Sequence, residues 1–293
     1  MRLLTRAAVA IAIVATLSSS LDAQWPLHPT PSAPRLANGE PNLDGPVPRT
    51  ADGKPDLSGL WRGAPAPAPA RQGGAGPAAA GTAAAAPPPA QAPAVATLAP
   101  GAVPLAAFRD IGVNVPGGLP LTPEGAAILK KRMAGKSEDN PEAHCLPMGV
   151  VQFHTQGAPR KFVQTPTLLV LLYEASMGMR QIFLDGRKPP TDDAQPWWYG
   201  YSRGRWEGDT LVVETTHTRD DSWLDIIGSP MTDAATLTER IRRVSYGRME
   251  IDITLNDPRA YTRPWTVRVN QQIMLDEDLI EFICLENQRF TLQ

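Results

Sequence analysis

The sequence predicts a mainly β fold: an antiparallel meander that closes into a β-barrel, with one short helix and a disordered Ala/Pro-rich insert. Three observations predict it. After Cys145 the chain divides into about nine strand-length segments rich in β-branched, Leu and aromatic residues. Turn punctuation separates them, at Pro166, Gly178, Asp185-Gly186, Gly208-Asp209, Gly247, Asn256-Asp257-Pro258 and Asp276-Glu277-Asp278. The short connections make successive strands antiparallel neighbours, and a sheet of that many sequential strands curls and closes to remove its edges.

Taken in order, residues 1–23 read as a secretory signal peptide: Arg2 and Arg6, an apolar run from Ala7 to Leu17, then a small-residue end at Leu21-Asp22-Ala23. The apolar run is too short to span a membrane as a mature helix, and no Cys at the cleavage site invites a lipid. A periplasmic or secreted protein without a stable membrane anchor is expected. Cleavage would remove Arg2, Arg6 and Asp22 from 28 basic and 30 acidic residues, leaving 26 against 29. That weak acidity, with no basic stripe carrying interleaved aromatics, excludes nucleic acid as a partner. Cys145 and Cys284 are an even pair in an exported chain and favour a disulfide, the alternative being two buried thiols.

Residues 24–63 read as an extended arm rich in Pro, Gly and Asn, with a short strand starting near Leu57. Residues 64–104 are nearly uncharged Ala, Pro and Gly, a composition that buries too little side chain to offset ordering entropy. Residues 105–293 form the barrel domain. Its one helix spans Pro123 to Ala134, with Thr122 as N-cap, Pro123 at the first helical position, Glu124 at the positive end and Lys130-Lys131-Arg132 in the last turns. Ala126, Ile128, Leu129 and Met133 would be its apolar side. The strands follow near Lys161–Thr165, Leu168–Ala175, Met179–Leu184, Trp198–Glu207, Thr210–His217, Thr236–Val244, Arg248–Leu255, Trp265–Met274 and Leu279–Leu285.

Candidate functional residues are polar groups inside apolar strands. Glu214 lies among Leu211, Val212, Val213 and Thr215, so either its face is wet or it has a partner. With His217 it makes a candidate acid and base pair at the barrel mouth. Glu174, Arg180 and Glu239 share strands with aliphatic neighbours, and Arg180, Arg240 or Arg243 would supply the pairing a buried carboxylate needs. The bland account is a wet face with cross-strand ion pairs. Trp206, Tyr261 and Trp265 offer flat apolar area for a ligand, or ordinary core packing; of Trp197, Trp198 and Tyr199, at least one belongs in a loop or at a rim. No His pair stands at a ligand spacing, so a metal site would need assembly across strands, as from His154, His217 and Glu214. No cofactor is indicated.

Several strings resemble a large family of exported bacterial proteins of unassigned function, common in soil and aquatic bacteria. They include P-D-L-S-G-L-W (Pro55 to Trp61), I-F-L-D-G-R (Ile182 to Arg187), G-R-W-E-G-D-T-L-V-V-E-T-T (Gly204 to Thr216), D-P-R-A-Y-T-R-P-W (Asp257 to Trp265) and E-F-I-C-L-E-N (Glu281 to Asn287). The resemblance covers most of the mature chain outside the insert and implies no reaction and no catalytic residue. Gly59-Leu60-Trp61 before a meander is also similar to the opening of lipocalins, which implies a fold alone.

Three functional readings follow. The leading one is an exported barrel that binds a small, largely apolar molecule in its interior, with Trp206, Tyr261, Trp265, Glu174, Arg180, Glu239 and Arg240 around it. The second is a lyase, isomerase or hydrolase using Glu214 and His217. The third is a packed barrel acting as an interaction protein.

Overall fold

The structure is a computed structural model that describes residues 30, 32–64 and 101–284. The expected signal peptide, residues 65–100 of the insert and residues 285–293 lie outside the described residues.

Nine strands close a barrel: β1 (Gly59–Gly63), β2 (Arg160–Gln164), β3 (Leu168–Tyr173), β4 (Met179–Phe183), β5 (Tyr201–Glu207), β6 (Thr210–Thr216), β9 (Thr236–Ser245), β10 (Arg248–Asn256) and β11 (Trp265–Met274). Two two-residue strands, β7 (Ser222–Trp223) and β8 (Pro230–Met231), pair with each other between β6 and β9. Around the barrel the order is β1-β11-β10-β9-β6-β5-β4-β3-β2. The expected barrel and meander are present, with one departure. β4 and β5 run parallel, through Ile182–Ser202 and Phe183–Arg203, because residues 184–200, with prolines at 189, 190 and 196, carry the chain back to the starting end before β5 begins. Gly200, at φ +64° and packed against Thr215 and Thr216, holds the turn that delays β5 to Tyr201 rather than Trp198.

The ninth strand is not the expected one. The strand near Leu57 joins as β1, pairing with β11 and with β2, so the barrel includes part of the arm. Residues 279–284, by contrast, form no strand; Asp276, at φ +62°, turns the chain out of β11, and Ile280, Phe282 and Ile283 are left exposed. The aliphatic and aromatic residues around Glu281 mimicked a strand, but β1 already pairs with the β11 edge they would need.

The arm also departs from a free extension. Leu43 and Gly45 accept hydrogen bonds from Gly247 and Tyr246, and the carbonyl of Asp56 accepts from Arg243, so the arm packs on the β9–β10 end of the barrel. The two ends of the insert dock on β11 two residues apart: Ala64 N–H donates to Asn270, and Arg268 exchanges hydrogen bonds with Pro104 and Ala106. The Ala/Pro-rich stretch therefore leaves and returns at one place on the barrel wall.

Helix α1 (Pro123–Ala134) starts as expected, the Thr122 hydroxyl accepting from Gly125 N–H. Its packing differs. Met133 is 54 % exposed, and the helix docks through Gly125, where a Cβ would lie 2.2 Å from the Ala260 carbonyl oxygen. Close backbone approach, rather than an apolar stripe, fixes it. Among the described residues no helix is long and apolar enough to cross a membrane. The expected disulfide is present between Cys145 and Cys284.

Alternate residues of each strand point inward and fill the barrel. Trp61, Phe162, Leu171, Leu237, Ile251 and Val267 are all buried there. Short helix α2 (Gln152–Thr155) inserts Phe153 and His154 into one end of that core.

Candidate functional site

The β5–β6 hairpin sets up the outer face of the site. Gly208, at φ +59°, makes the turn, and period two sends Ser202, Gly204 and Trp206 inward and Arg203, Arg205 and Glu207 outward. Arg203 stands directly opposite Glu214 in the ladder and donates to its Oε1 at 2.6 Å. Glu214 therefore has both things its sequence context asked for, a partner and a wet face.

β6 ends at Thr216, and His217 takes φ +56°, a left-handed conformation that a non-glycine residue adopts only where its surroundings hold it. The 184–200 segment does so: Trp197 N–H donates to the His217 carbonyl, and the Trp197 ring meets the imidazole edge to face. His217 Nε2 faces the Thr191 carbonyl at 3.1 Å and must donate to it. A neutral imidazole then accepts at Nδ1 from the Thr216 hydroxyl, 2.8 Å away.

Arg203, Glu214, Thr216 and His217 line a cleft of about 350 Å³ on the outside of the barrel. Pro189, Pro190, Ala234 and Ala235 give it apolar shoulders; Asp192, Glu214 and Asp233 line it with Arg203, Glu214 being paired with Arg203 and Asp233 with Arg259 beside the cleft. The two residues nominated as an acid and base pair are thus brought together in one cleft, at the end of the barrel where β6 stops.

The nominated binding residues do not converge on one space. Arg180 and Glu239 are inside, joined to each other. Arg180 Nη1 donates to Glu239 Oε1 at 3.0 Å, and its Nη2 bonds Glu239 Oε2 and the Thr215 hydroxyl. His154 Nε2 lies 2.8 Å from Glu239 Oε1, so that nitrogen carries the proton. Burial works against ionising Glu239, but the Arg180 charge and the hydrogen bonds outweigh it and hold the carboxyl far below its usual range. Burial lowers His154 in spite of Glu239, which keeps the imidazole neutral. Beside them Arg160, also buried and lowered to about 10 by that burial, donates to the carbonyls of His154, Gln156 and Ala158 and so pins α2 in place.

The rest are elsewhere. Tyr261 is buried, donates to the Pro230 carbonyl and meets Trp265 edge to face at 5.3 Å. Trp206 packs against the core at the far end of β5. Glu174 accepts from Ile280 N–H, and Arg240 pairs outside with Glu207. His154 and His217 lie on opposite sides of the barrel wall, so the cross-strand metal triad with Glu214 does not assemble.

Sequence reasoning missed Arg203, whose outward position opposite Glu214 was readable from the hairpin register. It also missed Arg160 and the role of His154, which depend on a helix entering the barrel from a distant stretch.

Compared with known proteins, the chain matches no family model, no curated relative and no solved structure.

Proposed function

We propose that this is an exported binding protein that uses the closed barrel as a rigid scaffold and holds a small organic ligand in the outer cleft beside Arg203, Glu214 and His217. The observation that carries the reading is the convergence of Glu214, Asp233, Asp192 and His217 on a concave space with apolar shoulders. Three carboxylates, two of them shared with Arg203 and Arg259, suit a ligand end that is positively charged or rich in hydrogen-bond donors. A ligand inside the barrel finds less support, because aliphatic and aromatic side chains and the Arg180–Glu239–His154 cluster occupy that volume.

One observation favours a second, enzymatic reading: Thr216 hydroxyl, His217 imidazole and Thr191 carbonyl form a chain that resembles a nucleophile, its base and an orienting group.

A small-molecule screen read by backbone-amide NMR shifts tests the proposal. Hits should cluster at Glu214, Thr216, His217 and Asp233 and weaken in Asp233→Asn. Hits confined to interior residues, or none, would overturn it. Turnover of a hit that His217→Ala abolishes while binding persists would select the enzymatic reading.

A further inference from the structure

Past the Arg203–Glu214 pair the cleft continues into a notch of about 240 Å³, set between Phe183, Gly186 and Arg187 on one side and Arg203, Gly204 and Arg205 on the other. The parallel seam creates it. β4 pairs with β5 only through Ile182–Ser202 and Phe183–Arg203, while β5 continues to Glu207 with β6 alone as its partner. The Asp185-Gly186 turn, with Gly186 at φ +73°, swings the chain away and splits the outer wall. Leu184 seals the inside of the split: a Cβ on Gly204 would come within 2.6 Å of its Cδ2. The notch is closed to the core and open to solvent.

Three arginines line it, each paired with one carboxylate: Arg203 with Glu214 in the lining, and Arg187 with Asp185 and Arg205 with Glu207 beside it, Glu207 being shared with Arg240. Arg187 is held in a fixed plane, its guanidinium 3.7 Å from the centre of the Phe183 ring and its Nε and Nη2 on Asp185. Arg203 and Arg205 each give Nη2 to a glutamate, and no described residue takes their Nε or Nη1. Those donors point to a ligand that brings its own acceptors.

We propose that this notch is an oxyanion subsite that takes a phosphate group, either free or at one end of the ligand whose other end fills the Glu214–His217 cleft. The second alternative rests on the function proposed above. Phosphate fits better than carboxylate, because three separate guanidinium groups, each with N–H donors beyond those given to its carboxylate, match three non-bridging oxygens. The carboxylate-lined cleft and the arginine-lined notch then suit the two ends of an amino-phosphate.

The test is amide-shift mapping of the full chain titrated at constant ionic strength with inorganic phosphate, with phosphoethanolamine and with chloride. Saturable shifts at Gly186, Gly204 and Arg205 are expected with both phosphates and not with chloride. Arg187→Gln and Arg205→Gln, both at exposed positions, should each weaken binding about tenfold without lowering the melting temperature. Phosphoethanolamine should also shift Thr216 and His217 and bind more tightly than inorganic phosphate. If phosphate binds at the notch but phosphoethanolamine leaves His217 unmoved, the subsite stands for free phosphate and the ligand cleft falls. No saturable shift with either phosphate at the notch, the same shifts with chloride, or an affinity unchanged from the parent chain in both variants would overturn the subsite.

Discussion

Arg180 and Glu239 meet as a two-armed ion pair across the barrel interior, from β4 and β9, which are not neighbours in the sheet. Both side chains are out of water, so each needs the other: desolvation makes an unpaired buried charge expensive. Glu239→Leu leaves the Arg180 guanidinium with neutral hydroxyl partners such as Ser202 and Thr215 and should cost about 3–5 kcal/mol in urea unfolding. The double variant Arg180→Met/Glu239→Leu should recover much of that loss, because no charge is then stranded. A double variant less stable than Glu239→Leu would show that the pair is not the source of the penalty.

Acid should destabilise the fold in two steps. His154 titrates below its ordinary 6.5 in the folded chain, so beneath that pH the unfolded chain binds more protons and stability falls as pH drops. Glu239 is held below its ordinary 4.5, so its contribution is intact above that pH and is lost as pH falls further. Unfolding free energies measured from pH 8 to pH 3 should decline first below about 6.5 and again below about 4.5. His154→Gln should remove the upper step and keep the lower one. An unchanged upper step in that variant would assign it to another group.

The disulfide closes a long loop. Cys145 and Cys284 are 139 residues apart, and the bridge ties the segment leading into α2 to the chain that follows β11. In the chain-entropy account such a cross-link contributes on the order of 4–5 kcal/mol, chiefly by restricting the unfolded chain. Cys145→Ser/Cys284→Ser, compared with the oxidised protein by urea unfolding, should show a loss of that size. A difference under 1 kcal/mol would mean that the loop retains its structure when unfolded.

Much of the barrel was legible because its strands carry a period of two with turn residues between them; Leu237, Glu239 and Ile241 on one parity made Glu239 a candidate inward carboxylate needing an arginine, beside the alternative of a wet face. What the sequence did not carry was non-local. Nothing near Gly59–Gly63 says that it, rather than residues 279–284, pairs with β11, since that choice depends on which edge is vacant. The partnership of His154 with Glu239 spans 85 positions and a helix that enters the barrel end-on. Glu214 and His217 were legible as a pair because they lie three residues apart. Their cleft was not, because its opposite wall comes from the proline-rich return at 189 and 190 and from the turn at 233–235.

The Arg203–Glu214 pair separates function from stability. Both side chains are partly exposed, 30 % and 41 %, so solvent screens their attraction and side-chain entropy offsets much of what remains. Glu214→Gln should therefore change unfolding free energy by less than about 1 kcal/mol. Its effect on the groove should be larger and of opposite sign in the two halves. The change removes a carboxylate from the cleft beside His217, which weakens a cationic ligand end, and frees Arg203 from its partner, which strengthens an anion in the notch. Titration of Glu214→Gln with inorganic phosphate and with ethylammonium measures the two effects separately. Tighter phosphate and weaker ethylammonium, with the melting temperature unchanged, is the expected result; parallel changes in both would show that Glu214 does not stand between a carboxylate-lined and an arginine-lined half.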